Sequence, residues 1–320
     1  MLKHPEEDRY SKEVRKSLEA QFGHAERTYS HWLKQKKKCW LAQSRLSDHV
    51  LCLAMTLNVQ ICRLFRSIID DCSRCESYTA NILSRSLFET ILALQFILKS
   101  RVYIFVEPHC DKTTKAHLKD SDGDLQYISK TYAHNPPTRA RPSFLSRDLR
   151  AHLYVSHDYF DSVRLTKECA GIDGLKRVAR SRKKAEDPNV PFTIRNTIGE
   201  EWFSILKHKK SYSGLKVEQL AIILNRPRSR WYKTVYHIQS RMVHATDALQ
   251  HVQEHPDGRI GPKFFSTEDE VSTAMLSATA LFLAGLFILQ ENIGFGDLND
   301  TVIRGLNDEF KTMQQDRRSR

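Results

Sequence analysis

The sequence contains little glycine and little proline, 12 and 10 residues respectively among 320. These two residue types supply most tight turns, so a turn-rich β-sandwich or β-barrel is disfavoured. Long stretches without either residue are typical of helices. With 40% hydrophobic and 28% charged residues, the composition is that of a globular chain rather than a disordered one. We therefore predict an all-α protein, built as one large helical bundle-type domain with an irregular excursion in its middle.

The amino terminus lacks the apolar run of a signal peptide, and no apolar run elsewhere is long enough to cross a bilayer. The longest run, Met275 to Leu289, has about fifteen residues, whereas a membrane-spanning helix needs about twenty. It also contains Ser277, Thr279 and Gly285. We therefore predict that this run is a buried core helix, that the protein does not contact a membrane and that it is cytoplasmic.

The seven cysteines form no recognisable metal motif. Cys72 and Cys75 have the spacing of a zinc-binding pair, but a second cysteine pair is missing and the His109-Cys110 sequence is a poor substitute. An odd number of cysteines, several in apolar surroundings, is typical of buried thiols in a reducing cytosol. We therefore expect no metal and no cofactor.

The charge is strongly unbalanced, with 50 lysines and arginines against 38 acidic residues and a formal net charge of +12. Such an excess favours contact with RNA or another polyanion, although a well-solvated basic surface explains it equally well. The positive residues concentrate in four clusters, Lys34 to Lys38, Lys176 to Lys184, Lys207 to Lys210 and Arg226 to Arg230. A homodimer and a protein partner are also compatible with the sequence, but no motif specifies either.

The most informative stretch is Glu76 to Lys99, which is apolar on most sides and contains no glycine or proline. It is predicted to be a long helix surrounded by other helices. Arg85 and Glu89 lie in its middle, four residues apart and therefore on one face. Burying such charges costs roughly several kcal/mol per ion unless they are paired. We expect a third polar group from another helix at this point; the alternative is an ion pair that only fixes helix register.

The remaining elements predict three parts: charged helices over residues 1–47, a helical core over 48–292, and a peripheral helix with a basic tail over 293–320. After the central helix, the segment from Arg101 to Pro108 is β-branched and aromatic, so it can be a strand or a continuation of the helix. We favour the helix because no second strand is evident as a partner. Ser266 is expected to cap the next apolar helix, with Asp269 in a near-capping-box position.

A second long helix is predicted from Arg228 to Glu254, ended by the sequence His-Pro-Asp-Gly. Its polar side carries a ridge of residues spaced by four, namely Tyr232, Tyr236, Ser240 and His244. One interpretation is a solvated polar face. In the other, Tyr236, Ser240 and His244 face Arg85 and Glu89, and Glu89 orients the imidazole of His244 for proton transfer or phosphate binding.

These two motifs, Arg85-Ser-Leu-Phe-Glu89 and Tyr236-x-x-x-Ser240-x-x-x-His244, resemble the signature of a bacterial family known as domain of unknown function fifty-six seventy-seven. The resemblance covers roughly Asp48 to Gln290 and implies an all-helical protein without an established activity. The layout also resembles HEPN proteins, the higher-eukaryote and prokaryote nucleotide-binding group. Many of these are metal-independent ribonucleases with an Arg and a His separated by four to six residues.

Arg230 and His237 match that spacing, with six residues between them, whereas His244 has only two residues between it and Arg241 and departs from it. The HEPN resemblance implies a ribonuclease in a toxin or defence setting. In such an enzyme an Arg holds a phosphate and a His moves a proton. The predicted catalytic residues are Arg85, Glu89, Tyr236, Ser240 and His244, and the predicted substrate-binding residues are Arg230, Tyr232, His237 and Arg241. The alternative function is a non-enzymatic helical module that binds a protein partner or senses a ligand.

Overall fold

Helices supply nearly all of the regular structure in the computed structural model of the chain. The structure describes residues 5–39, 46–100, 102–106, 118–119, 125–126, 141–172, 189–208, 211–213, 217–224, 252–254, 260–262, 266–293 and 301–318. The helices are α1 (Pro5–Ser17), α2 (Glu19–Cys39), α3 (Asp48–Ser73), α4 (Ser77–Leu98), α5 (Arg147–Ala170), α6 (Val190–Ile198), α7 (Glu200–His208), α8 (Val217–Leu224), α9 (Glu268–Ile293) and α10 (Thr301–Arg318). The all-α prediction is confirmed, because every long element is a helix.

Two short antiparallel sheets accompany these helices. The first contains β1 (Tyr103–Val106), β2 (Leu118–Lys119), β3 (Leu125–Gln126) and β4 (Arg141–Phe144), in the order β3-β2-β1-β4. The second pairs β5 (Val252–Glu254) with β6 (Ile260–Pro262). The irregular excursion is predicted for residues 111–141, a range that contains β2 and β3 but not β1 or most of β4.

The chain forms two compact units, residues 1–95 with 229–320 and residues 96–228. Among the described helices of the first unit, α9 is the most enclosed, and it packs against α2, α3 and α10. The Phe65 and Phe282 rings stack with centroids 4.2 Å apart where α3 meets α9. Gly285 of α9 faces Ile61 and Ile91, and a Cβ at this position would make an ordinary van der Waals contact 3.6 Å from Ile91 Cγ1. The apolar run Met275 to Leu289 is therefore a core helix, as predicted. The predicted division at residues 47 and 292 stays a prediction.

In the second unit, α5 packs against α6 and α7, and Phe160 of α5 meets Phe203 of α7 with ring centroids 5.3 Å apart. The strand β1 also belongs to this unit, so the expected helix continuation after Lys99 is wrong. Tyr103 pairs with Phe144 and Val106 with Arg141. The partner strand begins 35 residues after β1 ends and contains Pro142, which is tolerated because β4 is an edge strand. A local pattern could not reveal so distant a partner.

Two further expectations, one for the end of the long helix predicted from Arg228 and one for the cap of α9, are wrong. Val252 to Glu254 form β5 instead of the end of a long helix, and the His-Pro-Asp-Gly sequence separates β5 from β6. The capping box of α9 lies one residue later than expected. Thr267 N donates to Glu270 Oε2 at 2.8 Å, and Glu270 N donates to Thr267 Oγ1 at 3.3 Å.

Three of the described helices, α3, α4 and α9, are long and apolar enough to span a membrane by length and composition. In the most apolar 18-residue stretch of each helix, 72% is buried inside the protein in α9, 61% in α4 and 50% in α3. The expectation that no apolar run is long enough to cross a bilayer is therefore wrong. The cytoplasmic location expected from the sequence stays a prediction.

Candidate functional site

The Arg85–Glu89 pair lies on a half-buried stripe of α4. Tyr78, Ile82, Arg85 and Glu89 follow one another at steps of four, three and four residues, and each of these side chains is partly exposed. The opposite side of the helix is closed by apolar residues, among them the fully buried Leu87 and Ile91. The sequence thus produces an amphipathic helix with its two charges on the less enclosed side.

Arg85 Nε lies 3.3 Å from Glu89 Oε1, with 23% and 43% of the respective side chains exposed. The expectation that both charges are enclosed in apolar surroundings is therefore wrong. Solvent screens the pair, so its contribution to stability is at most about 1 kcal/mol. Because Arg precedes Glu, the order along the helix is also the less favourable one. A partly exposed guanidinium of this kind has the chemistry to bind a phosphate as well as a carboxylate.

The other predicted site residues lie outside the described residues. They are Arg230, Tyr232, Tyr236, His237, Ser240, Arg241 and His244. Their approach to Arg85 and Glu89 consequently stays a prediction.

Sequence reasoning missed a buried arginine in the second unit. Arg150 of α5 is fully enclosed, and its guanidinium donates to the backbone carbonyls of Phe96 and Lys99 at the carboxyl end of α4. Burial, followed by the neighbouring positive charge of Arg147, lowers the pKa of Arg150 to about 9. Arg147 Nε donates to the carbonyl of Leu98 at 2.8 Å. The two arginines therefore satisfy carbonyls that a helix end leaves without intrahelical donors. Their contacts are structural.

A second missed feature is His157 of α5. Its Nδ1 lies 3.4 Å from Asp161 Oδ2, and its ring meets that of Tyr212 edge-on with centroids 6.1 Å apart. Burial lowers the pKa of His157, an effect that the nearby Asp161 opposes. The i, i+4 spacing of His157 and Asp161 was visible in the sequence as a helical pair. The neutral imidazole is the expected form at pH 7.

The cysteine pair Cys72 and Cys75 is unreactive. Cys72 and Cys75 are both buried, and burial raises the pKa of Cys72 to about 12, so its thiol stays protonated at neutral pH. In the part of the chain that the structure describes, no group of three or more His, Cys, Asp or Glu side chains is arranged to hold a metal ion.

A family model matches residues 51–260, about two thirds of the chain, and its description is "Family of unknown function (DUF5677)". The chain belongs to this family, as its two motifs predicted. The match includes α3 from Leu51 onward, α4 and the whole second unit. It ends before α9, whereas the sequence motifs suggested an extent to Gln290. No curated protein and no solved structure matches the chain significantly.

Proposed function

We propose that this member of the DUF5677 family is a cytoplasmic RNA-binding protein that cleaves RNA without a metal ion, in a toxin or defence setting. The observation that carries the proposal is the solvent-accessible Arg85–Glu89 pair on a helix whose other side is core. The formal net charge of +12 supports a polyanionic partner. The absence of disulfides among the described cysteines is compatible with a reducing compartment.

In the proposed reaction, Arg85 binds the scissile phosphate and stabilises charge that develops on its non-bridging oxygens. His244 removes the proton from the ribose 2′-hydroxyl, whose oxygen attacks phosphorus and displaces the 5′-oxygen. The proton then passes from the imidazole to that leaving oxygen, giving a 2′,3′-cyclic phosphate and a free 5′-hydroxyl. Glu89 is released from Arg85 when phosphate binds, and it then orients the imidazole. Tyr236 and Ser240 bind the ribose-phosphate, while Arg230, Tyr232, His237 and Arg241 hold the flanking nucleotides.

The test is cleavage of an end-labelled single-stranded RNA by the full chain in excess EDTA. His244→Ala should lower the cleavage rate by about 100-fold or more, because positioned proton transfer contributes at least that much. Glu89→Gln should also slow cleavage, whereas Glu291→Gln, a change of the same charge at an exposed position of α9, should not. Undiminished cleavage by His244→Ala would remove this histidine from the mechanism. Complete loss of wild-type cleavage in EDTA would exclude a metal-independent mechanism.

The competing function is a non-enzymatic module in which the pair only fixes helix register. It is favoured by the direct contact of Arg85 with Glu89, which accounts for both charges without a ligand. The double variant Arg85→Met/Glu89→Leu separates the two functions. A folded variant that has lost RNA binding supports the proposed site, whereas unchanged RNA binding supports the structural role.

A further inference from the structure

A cavity of about 410 Å³ lies in the first unit, between the α1–α2 junction, the start of α9 and the end of α10. This volume is within the range of small-molecule sites. Its polar lining comes from Ser17 and Gln21 on the first side, Glu268, Asp269 and Ser272 on the second, and Asp316 on the third. The lining includes neither Arg85 nor Glu89, so a ligand in this cavity is independent of the RNA activity.

The cavity is acidic although the whole chain is basic. Three carboxylates line it, from Glu268, Asp269 and Asp316, and its lining residues include no lysine or arginine among those that the structure describes. The amino end of α9 carries a partial positive charge of about half a unit, which three carboxylates outweigh. Burial, followed by Cys75, raises the pKa of Tyr10 beside the start of α9, and Glu270 and Glu268 make smaller contributions in the same direction. The described lining residues therefore carry an excess of negative charge, which favours a cation, and the Ser17 hydroxyl already donates to one of these carboxylates, Glu268.

Ser272 supplies a second, independent observation. This lining residue is 3% exposed, and its hydroxyl has no hydrogen-bond partner in the described part of the chain. Other hydroxyls of α9 donate to the carbonyl four residues earlier, as Thr279 does to Met275 at 2.8 Å. The Oε1 atom of Gln21 is also buried and has no partner among the described groups. Buried polar groups are normally satisfied, so two such oxygens beside one cavity indicate a donor that is to be bound there.

We propose that this cavity binds a small organic cation with two or more ammonium groups, of the polyamine class. An ammonium group has three donors and no acceptor, which matches carboxylate, amide and hydroxyl oxygens. The apolar lining from Leu18 and Met313 suits the methylene chain between such groups. An inorganic ion would leave most of this volume unfilled, and no described cluster of side chains has the arrangement that holds a metal.

Isothermal titration of the full chain with spermidine at low salt tests the proposal. Asp316→Asn should weaken binding about tenfold, as expected when a hydrogen bond between charged groups is lost. Glu291→Gln is the matched control, because it removes the same charge from an exposed position of α9 outside the cavity. It should leave the affinity unchanged.

Ser272→Ala distinguishes a ligand group from a structural one. It should weaken spermidine binding about threefold or more while leaving the thermal midpoint unchanged or higher, because the lost hydroxyl had no partner to stabilise. Equal affinities in wild type and all three variants would mean that spermidine acts only as a general counter-ion, and would overturn the proposal. Mg²⁺ that displaces spermidine at matched ionic strength and shows the same sensitivity to Asp316→Asn would overturn the assignment to an amine. The absence of any saturable heat of binding with spermidine would overturn the whole proposal.

Discussion

Arg150 shows how one residue can be essential to a fold without being visible as such in the sequence. An arginine in the first turn of a helix is usually solvated, and the sequence offers no acidic partner that would suggest burial. The partners are backbone carbonyls of Phe96 and Lys99, at the end of α4. The negative end of the α4 dipole further favours a cation there. Only the tertiary arrangement of α4 and α5 explains why this charge is enclosed.

Replacing Arg150 by Met should destabilise the second unit by about 1–3 kcal/mol, because it leaves buried carbonyls without donors. The pKa of Arg150, lowered to about 9, shows that burial opposes the charge, so part of this loss is offset. Thermal unfolding followed by circular dichroism measures the change. Arg150→Lys should recover only part of the stability, because an ammonium cannot reproduce the planar fork of donors. Wild-type stability in Arg150→Met would show that these contacts contribute nothing.

At the scale of elements, Ser266 connects several helices before α9 begins. Its hydroxyl accepts from Ser77 N at 2.9 Å, at the first residue of α4, and from Ser77 Oγ at 2.6 Å. Its own N–H donates to the carbonyl of Cys75 at 3.1 Å, and its carbonyl accepts from the Tyr10 hydroxyl at 3.1 Å. The sequence predicted that this serine caps α9, which is wrong, because its hydroxyl accepts from the amino end of α4 instead. It could not indicate that the capped helix is α4, because that contact spans 189 positions.

Ser266→Ala should therefore lower the free energy of unfolding by about 1–2 kcal/mol, the usual cost of losing a helix cap. The backbone contacts with Cys75 and Tyr10 remain in this variant, so the loss reports on the hydroxyl alone. Urea unfolding monitored by circular dichroism is the measurement. Ser67→Ala, at an exposed position of α3, should change stability by less than about 0.5 kcal/mol. If the two variants are equally stable, Ser266 does not cap α4.

The contact between α2 and α10 should make stability depend on pH. His24 is 1% exposed, its Nε2 lies 2.7 Å from the carbonyl of Leu306, and burial lowers its pKa despite that hydrogen bond. A base with a lowered pKa binds fewer protons in the folded state than in the unfolded state. Its contribution to stability is thus fully present above the unfolded pKa of about 6.5 and is lost as the pH falls toward the folded value.

The expected result is a thermal midpoint that decreases between pH 7 and pH 5. His24→Gln retains a donor for the Leu306 carbonyl but cannot titrate, so its midpoint should decrease less over the same interval. Part of the decrease should remain, because burial also lowers the pKa of His157 in the second unit. A variant with the full wild-type pH dependence would exclude His24 as a source of this effect.

At the scale of the whole molecule, the sequence predicted what depends on local periodicity and failed where distant segments meet. The helix predicted from Glu76 to Lys99 differs by one residue at each end from α4. The strand β1 was missed because one partner, β4, lies far along the chain and the other, β2, has only two residues. The exposure of Arg85 and Glu89 was also missed, because an apolar composition does not tell which side of a helix its neighbours leave uncovered. The motif residues alone sufficed to identify the family.

The charge of the whole chain and the Arg85–Glu89 pair together predict how RNA binding responds to salt. Each phosphate that a cation neutralises on a single strand contributes about 0.7 to the slope of log affinity against log salt. Arg85→Gln should therefore weaken binding of a single-stranded RNA and reduce that slope by about 0.7. Glu89→Gln should have the opposite effect on affinity, because it removes the carboxylate that competes with phosphate for Arg85.

Fluorescence anisotropy across a salt series measures both quantities, with a DNA of the same sequence for comparison. Arg63→Gln removes an equal charge from an exposed position of α3, so it controls for the general effect of net charge. If Arg63→Gln and Arg85→Gln change affinity and slope equally, RNA senses only the overall field of a basic surface. Opposite effects of Arg85→Gln and Glu89→Gln, together with an unchanged control, require that phosphate replaces Glu89 at the guanidinium. In that case the half-buried stripe of α4 is the surface that contacts RNA.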